Sequence, residues 1–363
     1  MDTDPLAQLA PPVRIDDRVT IRYRLDDGSA TDVVGWLTAL RPDVVDIVSP
    51  GDRRTSVARE RIILARHVPP ARGGRAPQRW TPDELERATA VGWIADHEPL
   101  GDWLLRSGNG FTGRANSCLA LGDPGLPYEQ AITIIIDFYT GLGLEPRVQT
   151  VAGGPVEQRL RDLGWVDTYV RTTVMTQTLS GLIGDHRRNP EVEIDSTLTE
   201  DWWQAYLNYR PVNDHEVGRR ILSGPPPVGL AAIRADGVIV SLGRGQVSNE
   251  WLGVAGLWTA PDHRRQGLAT MIMIELGHWS ARLGARNAYL QVETTNSGAI
   301  AAYESLGFVR HHDYLYLKPG ATPGTPVRSH ADSQPAPVPP LRCGAGLAPL
   351  DGCRSRASDR RIR

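Results

Sequence analysis

The sequence predicts an α/β protein in which a small all-β unit precedes two related α/β modules and a C-terminal tail. Three observations predict this arrangement. Short strand-like segments recur near the N-terminus, one order of strands and helices repeats at an offset of 143 residues, and the last segment has no aromatic residue. The 363 residues suffice for two or three domains of ~150 residues each, and such domains bury ordinary cores without disulfides or metals as staples.

The composition excludes several classes of function. A formal net charge of −2 with 23% charged residues gives no electrostatic reason for binding nucleic acid or a membrane surface. The three cysteines, Cys118, Cys343 and Cys353, cannot form a disulfide framework and lack zinc-site spacing, which predicts a cytoplasmic protein without a metal. The acidic start predicts no signal peptide, and no apolar run reaches the ~18 residues of a membrane helix.

Residues 12–69 are predicted to form the all-β unit. Strand-like stretches are separated by turn signals, and they cover Asp17–Leu25, Asp32–Leu40, Val44–Val48 and Thr55–Ala58. Four or five short strands in fewer than ~60 residues predict an SH3-like barrel. The barrel mixes acidic and basic residues without a patch, which favours scaffolding over ligand binding. The Pro- and Gly-rich segment Pro69–Pro77 is predicted to be a linker.

The span 78–318 contains the repeat. Its second half has strand Trp251–Thr259, helix Gly267–Leu283, strand Ala288–Val292 and helix Ser297–Ser305. Its first half keeps the same order, with strand Asn116–Leu121, a helix ending near Gly141, strand Arg147–Val151, helix Pro155–Leu163 and strand Thr168–Thr176. A duplicated module predicts domains 78–182 and 190–318. Coincidence in a Gly-rich chain is the alternative.

The C-terminal segment 319–363 has a different composition from the rest. It contains eight Pro, seven Arg and three Asp. Such a segment cannot bury enough apolar surface to offset the entropy lost on ordering, so it is predicted to be disordered.

The most informative segment joins strand Trp251–Thr259 to the helix that follows it. The helix carries apolar residues at helical spacing, which are Leu268, Ile272, Leu276, Trp279 and Leu283. This spacing predicts one buried stripe, and Gly284 is placed to end the helix. Small residues at the helix start would let an anion approach its free N–H groups, and Arg264 and Arg265 would add charged hydrogen bonds. The loop predicts a diphosphate site; an ordinary helix start with solvated arginines is the alternative.

Two motifs together resemble the GNAT superfamily of acyl-CoA-dependent N-acetyltransferases. The first has the superfamily's Arg/Gln-x-x-Gly-x-Gly/Ala pattern, met by Arg264, Gly267 and Ala269. The second, about 30 residues later, is met by Asn296, Ala299, Tyr303, Gly307 and Phe308. The match covers roughly residues 190–318. The SH3-like start and the two modules are similar to an actinobacterial tandem group labelled histone-acetyltransferase-like or N-acetylglutamate-synthase-like, and these labels disagree about the acceptor.

The resemblance implies that acetyl-CoA is the acetyl donor. In the family, the cofactor lies where the fourth and fifth strands of the sheet splay apart, and a backbone N–H of the fourth strand faces the thioester oxygen. Carried over, the cofactor-binding residues are Leu257, Trp258, Thr259, Arg264, Arg265, Gln266, Gly267, Leu268, Ala269, Thr270 and Asn296. Asn296 would bind the pantetheine arm or cap its helix, and the sequence does not separate these roles.

The resemblance also implies the catalytic residues. Tyr303 matches the tyrosine that protonates the departing thiolate; the alternative is a core tyrosine. The histone-modifying branch has a glutamate at a position that here falls on Gly253, which has no side chain. Glu250 precedes the strand, so Glu293 is the predicted general base, with a surface carboxylate as the alternative. This departure argues against a histone-type mechanism.

The first module is predicted to be non-catalytic. Its loop, Gly122 to Pro127, has no arginine and contains two prolines, which lack N–H donors. Leu160 stands where Tyr303 does in the second module. Arg114 could bind an acceptor carboxylate or form a structural ion pair.

Other polar and aromatic groups are predicted to be structural. Helices are predicted over Thr199–Arg210 and Asp214–Leu222, and aromatic residues on the first favour a core role over acceptor binding. Asp214-His215-Glu216 is predicted to start the second helix, and His311-His312 to lie at the surface.

The sequence therefore predicts acetyl transfer from acetyl-CoA to a primary amine by direct attack. The acceptor stays open between an amino acid such as glutamate, a protein lysine, and a polyamine or antibiotic amine. One rival function is a non-catalytic acyl-CoA sensor, and another is an interaction protein acting through its barrel. Monomer and homodimer are both compatible with two modules in one chain.

Overall fold

The computed structural model describes most of the first 320 residues. The described ranges are 4–10, 12–15, 17–49, 53–68, 74–93, 96–186 and 188–320. Residues 69–73 of the predicted linker lie outside the described residues. So does nearly all of the predicted disordered tail, at residues 321–363.

The N-terminal unit is a five-stranded antiparallel sheet with strand order β4-β3-β2-β1-β5. Its strands are β1 (Arg18–Arg24), β2 (Ala30–Leu40), β3 (Val44–Ser49), β4 (Arg53–Ala58) and β5 (Ile62–His67). Residues of β3 alternate between partly and fully buried, as expected when one face of a strand covers a core. That core includes Val19, Ile21, Leu37 and Ile47, and Leu6 packs against them.

The following residues form one mixed sheet of twelve strands flanked by helices. The helices are α1 (Pro82–Ala90), α2 (Tyr128–Gly141), α3 (Pro155–Asp162), α4 (Leu179–Ile183), α5 (Glu200–Tyr209), α6 (His215–Ser223), α7 (Leu268–Arg282) and α8 (Ser297–Ser305). The strands are β6 (Asp96–Leu100), β7 (Trp103–Ser107), β8 (Cys118–Leu119), β9 (Val148–Val151), β10 (Trp165–Asp167), β11 (Thr172–Thr178), β12 (Val192–Asp195), β13 (Val228–Ala235), β14 (Val238–Ser248), β15 (Trp251–Thr259), β16 (Asn287–Glu293) and β17 (Val309–Pro319). The path through the sheet is β12-β13-β14-β15-β16-β11-β17-β9-β8-β7-β6, and β10 also pairs with β17.

The two halves of this sheet exchange strands. β11 follows the first half in sequence, yet it lies between β16 and β17 and runs antiparallel to both. β17 ends the second half and pairs with β9 of the first. Met175 of β11 accordingly packs with Leu290 in the core of the second half, and Leu315 of β17 packs with Val148 in the core of the first half. Each half therefore completes its core with a strand from the other.

The prediction that His311 and His312 lie at the surface was wrong for His312. Its side chain is 5% exposed, and its Nε2 lies 3.2 Å from Oε1 of Glu86, which is 4% exposed. His311 Nδ1 lies 2.7 Å from His312 Nδ1, and His311 Nε2 lies 2.9 Å from the carbonyl oxygen of Trp80. The pair sits on β17 beneath α1, and the carboxylate on α1 gives the buried imidazole a charged partner.

Candidate active site

An opening separates β15 from β16 at their carboxyl ends. The two strands pair in parallel from Trp251↔Asn287 to Val254↔Leu290. β15 continues to Thr259 and β16 to Glu293 without further pairing between them. The strand ends are therefore free to receive a ligand between them, as the resemblance implied.

A β-bulge in β15 accounts for the separation. Its pairing with β14 shifts between Leu242↔Trp258 and Arg244↔Ala255, so Gly256 and Leu257 together face one residue, Gly243. Gly256 has φ +61°, a left-handed conformation that glycine adopts without a Cβ penalty. Such a bulge bends its strand, here away from β16.

A backbone amide of β15 faces the opening. The Ala260 N–H donates to the carbonyl of Val240 on β14 at 2.8 Å, and the Trp258 carbonyl accepts from the Ser241 hydroxyl. Successive residues of a strand direct their N–H groups to opposite sides. The N–H group of Thr259, beyond the bulge, therefore points away from β14, toward the opening.

The loop from β15 to α7 ends at a helix start with free donors. Arg264 Nε donates to the Thr259 carbonyl at 3.2 Å, while Arg264, Arg265 and Gln266 are exposed. Gly267 is the N-cap of α7, with φ +78° and no side-chain cap, and a Cβ there would meet nothing within 4 Å. The N–H groups of the first turn, at Leu268, Ala269 and Thr270, have no intrahelical partner. Positive charge and free donors thus converge where an anion can approach.

Packing of α7 holds that helix start against the sheet. Ile272 and Leu276 of the predicted stripe are buried, and Leu268 and Trp279 are partly buried. Leu283 is 46% exposed, so its place in the stripe was predicted wrongly: the helix ends at Arg282 and Leu283 lies beyond the last turn. Gly284 has φ +92°, and Ala285 N–H donates to the Ser280 carbonyl at 3.1 Å, a hydrogen bond typical of a glycine-terminated helix.

Tyr303 lies on α8, near Tyr209. It is partly buried against the core of the second half, and its ring meets the Phe308 ring edge-on at 6.3 Å. Burial, and secondarily the nearby Tyr209, raise the pKa of Tyr303 to about 12. Its hydroxyl is therefore protonated at neutral pH and can serve as a proton donor.

Aromatic residues of α5 pack against β13 and β14. Trp202, Trp203 and Tyr206 are buried, as predicted for core residues. Tyr209 is 40% exposed, and its ring lies 6.3 Å from that of Trp258, beside the opening. The Asp214 side chain caps α6 by accepting from the Val217 N–H at 3.1 Å, so the predicted helix start is confirmed.

Asn296 caps its helix. Its side-chain oxygen accepts from the Ala299 N–H at 3.1 Å, which is the capping role left open by the sequence. Glu293 is exposed at the end of β16, at about the level of Leu257 when the strand register is extended. Its side chain falls on the same face of the sheet as that of Tyr289, four residues earlier.

The structure leaves no room for a longer side chain at Gly253. A Cβ on Gly253 would lie 2.5 Å from the Tyr289 hydroxyl, so the tyrosine fills the space that a longer side chain would need. Glu250 is bound to Arg286 at 3.0 Å at the far end of β15, about 25 to 30 Å of strand from the loop. The sequence analysis did not identify Tyr289. The only sign of its role is its place on β16, where it pairs with Gly253 of β15.

The equivalent loop in the first half is occupied by protein. A Cβ on Gly101 in the β6–β7 turn would lie 2.2 Å from the Pro124 carbonyl oxygen, so this turn packs closely on the loop. The Asp123 N–H donates to the Asp102 carboxylate at 3.1 Å. Leu160, at the position equivalent to Tyr303, is fully buried. This loop has no arginine, and the β6–β7 turn packs closely against it at Pro124.

Two further properties describe the site and the chain. Among the described residues, no group of three or more His, Cys, Asp or Glu side chains is placed to hold a metal ion. None of the described helices is both long and apolar enough to cross a membrane.

Comparison with known proteins agrees with this architecture. Residues 83–317 match the family described as "Probable histone acetyltransferase Rv0428c C-terminal". The chain is 27% identical over 317 residues to the "Probable histone acetyltransferase Rv0428c" of Mycobacterium tuberculosis, covering 83% of this chain and 94% of that protein. It is 26% identical over 243 residues to the "Uncharacterized N-acetyltransferase YobR" of Bacillus subtilis, covering 64% of this chain and 96% of that protein. Among solved structures, a GCN5-related N-acetyltransferase from Kribbella flavida superposes with a TM-score of 0.51 at 19% identity, covering 66% of this chain and 96% of that one.

The split sheet and the helix start beside it thus define a GNAT-type N-acetyltransferase. Within that superfamily, the chain belongs to the Rv0428c C-terminal family.

Proposed function

We propose that this protein transfers an acetyl group from acetyl-CoA to a primary amine by direct attack of the amine on the thioester. The proposal rests on one observation, that the opening in the sheet and a helix start with free N–H donors lie side by side. The opening between β15 and β16 lies beside the uncapped start of α7 at Gly267. A diphosphate at the helix start would leave the rest of the donor to enter the opening.

The donor is assigned to the residues that line this path. The first-turn N–H groups of Leu268, Ala269 and Thr270 would bind the diphosphate, with Arg264, Arg265 and Gln266 in the loop above it. Leu257, Trp258 and Thr259 would line the pantetheine arm. An N–H of β15 at the opening would polarise the thioester carbonyl, as an oxyanion donor does. Asn296 would act by fixing α8, and through it Tyr303.

Acid and base are assigned to the two sides of the opening. Tyr303 would protonate the thiolate as the carbon–sulfur bond breaks, because its raised pKa keeps the proton available. Glu293 would accept the proton that the amine loses, through a water since its carboxylate is exposed. The products are then an N-acetylated amine and the free thiol of CoA.

The domain roles follow from the same comparison of sites. We assign catalysis to residues 190–318 and a supporting role to residues 78–182, whose loop is covered by the β6–β7 turn. We further propose that the five-stranded unit is an SH3-like barrel, because its strand order places β5 beside β1 and β4 at the far edge, the arrangement from which a short barrel closes.

Acetyl-CoA-dependent release of free thiol tests the proposal. The acceptors are amino acids, polyamines, aminoglycosides and a histone-like peptide, and the variants are Glu293→Gln and, as control, Glu250→Gln. We expect turnover on one acceptor class, lowered at least tenfold by the first variant and little changed by the second. Tight acetyl-CoA binding without turnover on any acceptor would instead indicate a sensor.

A further inference from the structure

We propose that the acceptor amine carries a carboxylate and that Arg114 binds it. This inference names the substrate class and rests on the acetyltransferase function proposed above. The observation behind it is a partly buried guanidinium beside the opening that has no anionic partner among the residues that the structure describes.

Arg114 is held in place by neutral groups. Its Nε donates to the Tyr314 hydroxyl at 3.0 Å, and its guanidinium carbon lies 5.2 Å from the centre of the Trp93 ring. Within the described part of the chain, no carboxylate lies in ion-pair range of it, and its two terminal nitrogens donate to no residue. Arginine withdrawn from water without an anion is costly, and these two nitrogens form the planar fork that fits a carboxylate.

Two fully buried arginines of this sheet, Arg106 and Arg244, donate more hydrogen bonds to the protein than Arg114 does. Arg106 donates to the Ser117 carbonyl and hydroxyl and to the Gln149 side chain at 2.8 to 2.9 Å. Arg244 donates to the carbonyls of Leu222 and Gly224, both at 2.8 Å, at the end of α6. Arg114, by contrast, donates a single side-chain hydrogen bond, to Tyr314.

The position of Arg114 suits an acceptor. Its neighbour Ala115 packs with Ala255 and Trp93, and Ala255 is the first residue of β15 beyond its last pair with β16. Arg114 thus lies at the base of the opening, on the face of the sheet that carries Tyr289 and Glu293. An amine whose carboxylate met Arg114 would be held on the side from which the base is proposed to act.

A second positive charge strengthens the preference for an anion. The Arg244 guanidinium lies 5.0 Å from the centre of the same Trp93 ring. Burial lowers the pKa of Arg244 to about 10, so it remains charged at neutral pH. Neither arginine has a carboxylate in ion-pair range among the described residues, so an anion that entered beside this ring would be attracted by both cations.

The acceptor is therefore a free amino acid rather than a lysine side chain of a protein. A lysine side chain in a polypeptide has no carboxylate of its own near the reacting nitrogen. A free amino acid has one within two bonds of its α-amine, and glutamate offers a second.

Matched acceptor pairs test the proposal in the full chain. Each amino acid is compared with the amine left when its carboxylate is removed: leucine with isopentylamine, phenylalanine with phenethylamine, lysine with cadaverine, all at saturating acetyl-CoA. We expect kcat/KM at least tenfold higher for the carboxylate-bearing member of the pair that turns over. Arg114→Met should abolish that preference, and Arg114→Lys should retain part of it.

Controls separate this role from folding and from general electrostatics. Arg210→Met removes an exposed arginine at the end of α5 and should leave the preference intact. Acetyl-CoA affinity and the melting temperature report whether Arg114→Met folds. If it does not, inhibition of the wild type by N-acetylated amino acids, compared with the N-acetylated amines, gives the same answer.

Three results would overturn the proposal. They are equal kcat/KM within every pair, a preference that survives in folded Arg114→Met, and no turnover of any amino acid by a protein that binds acetyl-CoA. Failure to bind acetyl-CoA at all would instead refute the proposed function on which the inference rests.

Discussion

Tyr303 is the residue on which the proposed chemistry depends most. Replacing it by phenylalanine removes only the hydroxyl and keeps the ring that packs against Phe308. We expect Tyr303→Phe to lower kcat by about a hundredfold, the scale of general acid catalysis, while acetyl-CoA affinity stays within about twofold. Product formation and calorimetric binding measure the two quantities. An unchanged kcat would show that another group protonates the thiolate.

The raised pKa of Tyr303 predicts a pH dependence. An unperturbed tyrosine ionises near pH 10, whereas burial raises the pKa of Tyr303 to about 12. The folded protein therefore keeps this proton while the unfolded chain loses it, so the associated stability falls as the pH rises from about 10 to 12. Activity should show no alkaline loss from Tyr303 up to about pH 10.5. A loss near pH 9.5 that vanishes in Tyr303→Phe would contradict this.

Residues with a local signature could be predicted, and residues defined by long-range contacts could not. Gly267 and Asn296 take their roles from positions at helix starts, which sequence spacing reveals. Tyr289, Arg244 and His312 take theirs from partners 20 to more than 200 residues away, such as Gly253, Gly224 and Glu86. His312 was predicted wrongly because nothing in the sequence placed a carboxylate of α1 beside it.

At the scale of elements, the bulge in β15 creates the opening. Gly256→Ala introduces a Cβ at φ +61° that would lie 3.4 Å from Tyr206. We expect it to lower the free energy of unfolding by about 1 kcal/mol and, by reshaping the opening, to reduce kcat/KM for the acetyl donor at least tenfold. Denaturant titration and steady-state kinetics measure these effects.

A matched control lies in the turn between β13 and β14. Gly237 has a similar conformation, φ +79°, and a methyl group added there would meet no other atom within 4 Å. Gly237→Ala should lose comparable stability and keep its activity. Equal activities of the two variants would mean that the bulge does not shape the donor site.

The positions of helices and strands were easier to predict than the pairing of the strands: the bounds of β15 match the prediction, and those of β16 differ by one residue at each end. The bounds of α8 match the prediction, and those of α5 and α7 differ by one residue at each end, because caps and glycines mark where helices begin and end. β11 was predicted as the last strand of the first half, and its chain position is correct within a few residues. Its partners were not predictable, since strand pairing depends on the whole topology.

For the whole molecule, the exchange of β11 and β17 links the two halves. Because each core needs a strand from the other half, residues 74–320 should unfold in one cooperative transition. Differential scanning calorimetry of that fragment measures this, and residues 184–320 alone, which lack β11, should not fold. Two separate transitions, or a folded 184–320 fragment, would contradict the coupling.

Acetyl-CoA binding to Gly267→Asp tests the central claim most directly. The variant places a carboxylate at the uncapped start of α7, where the diphosphate is proposed to bind, in open space and at φ +78°. Gly284→Asp is the matched control, with the same charge and a similar φ of +92° at the other end of α7. In isothermal titration calorimetry, we predict that Gly267→Asp loses at least a hundredfold in affinity while Gly284→Asp binds like the wild type. Equal binding by both variants would show that the start of α7 is not the donor site.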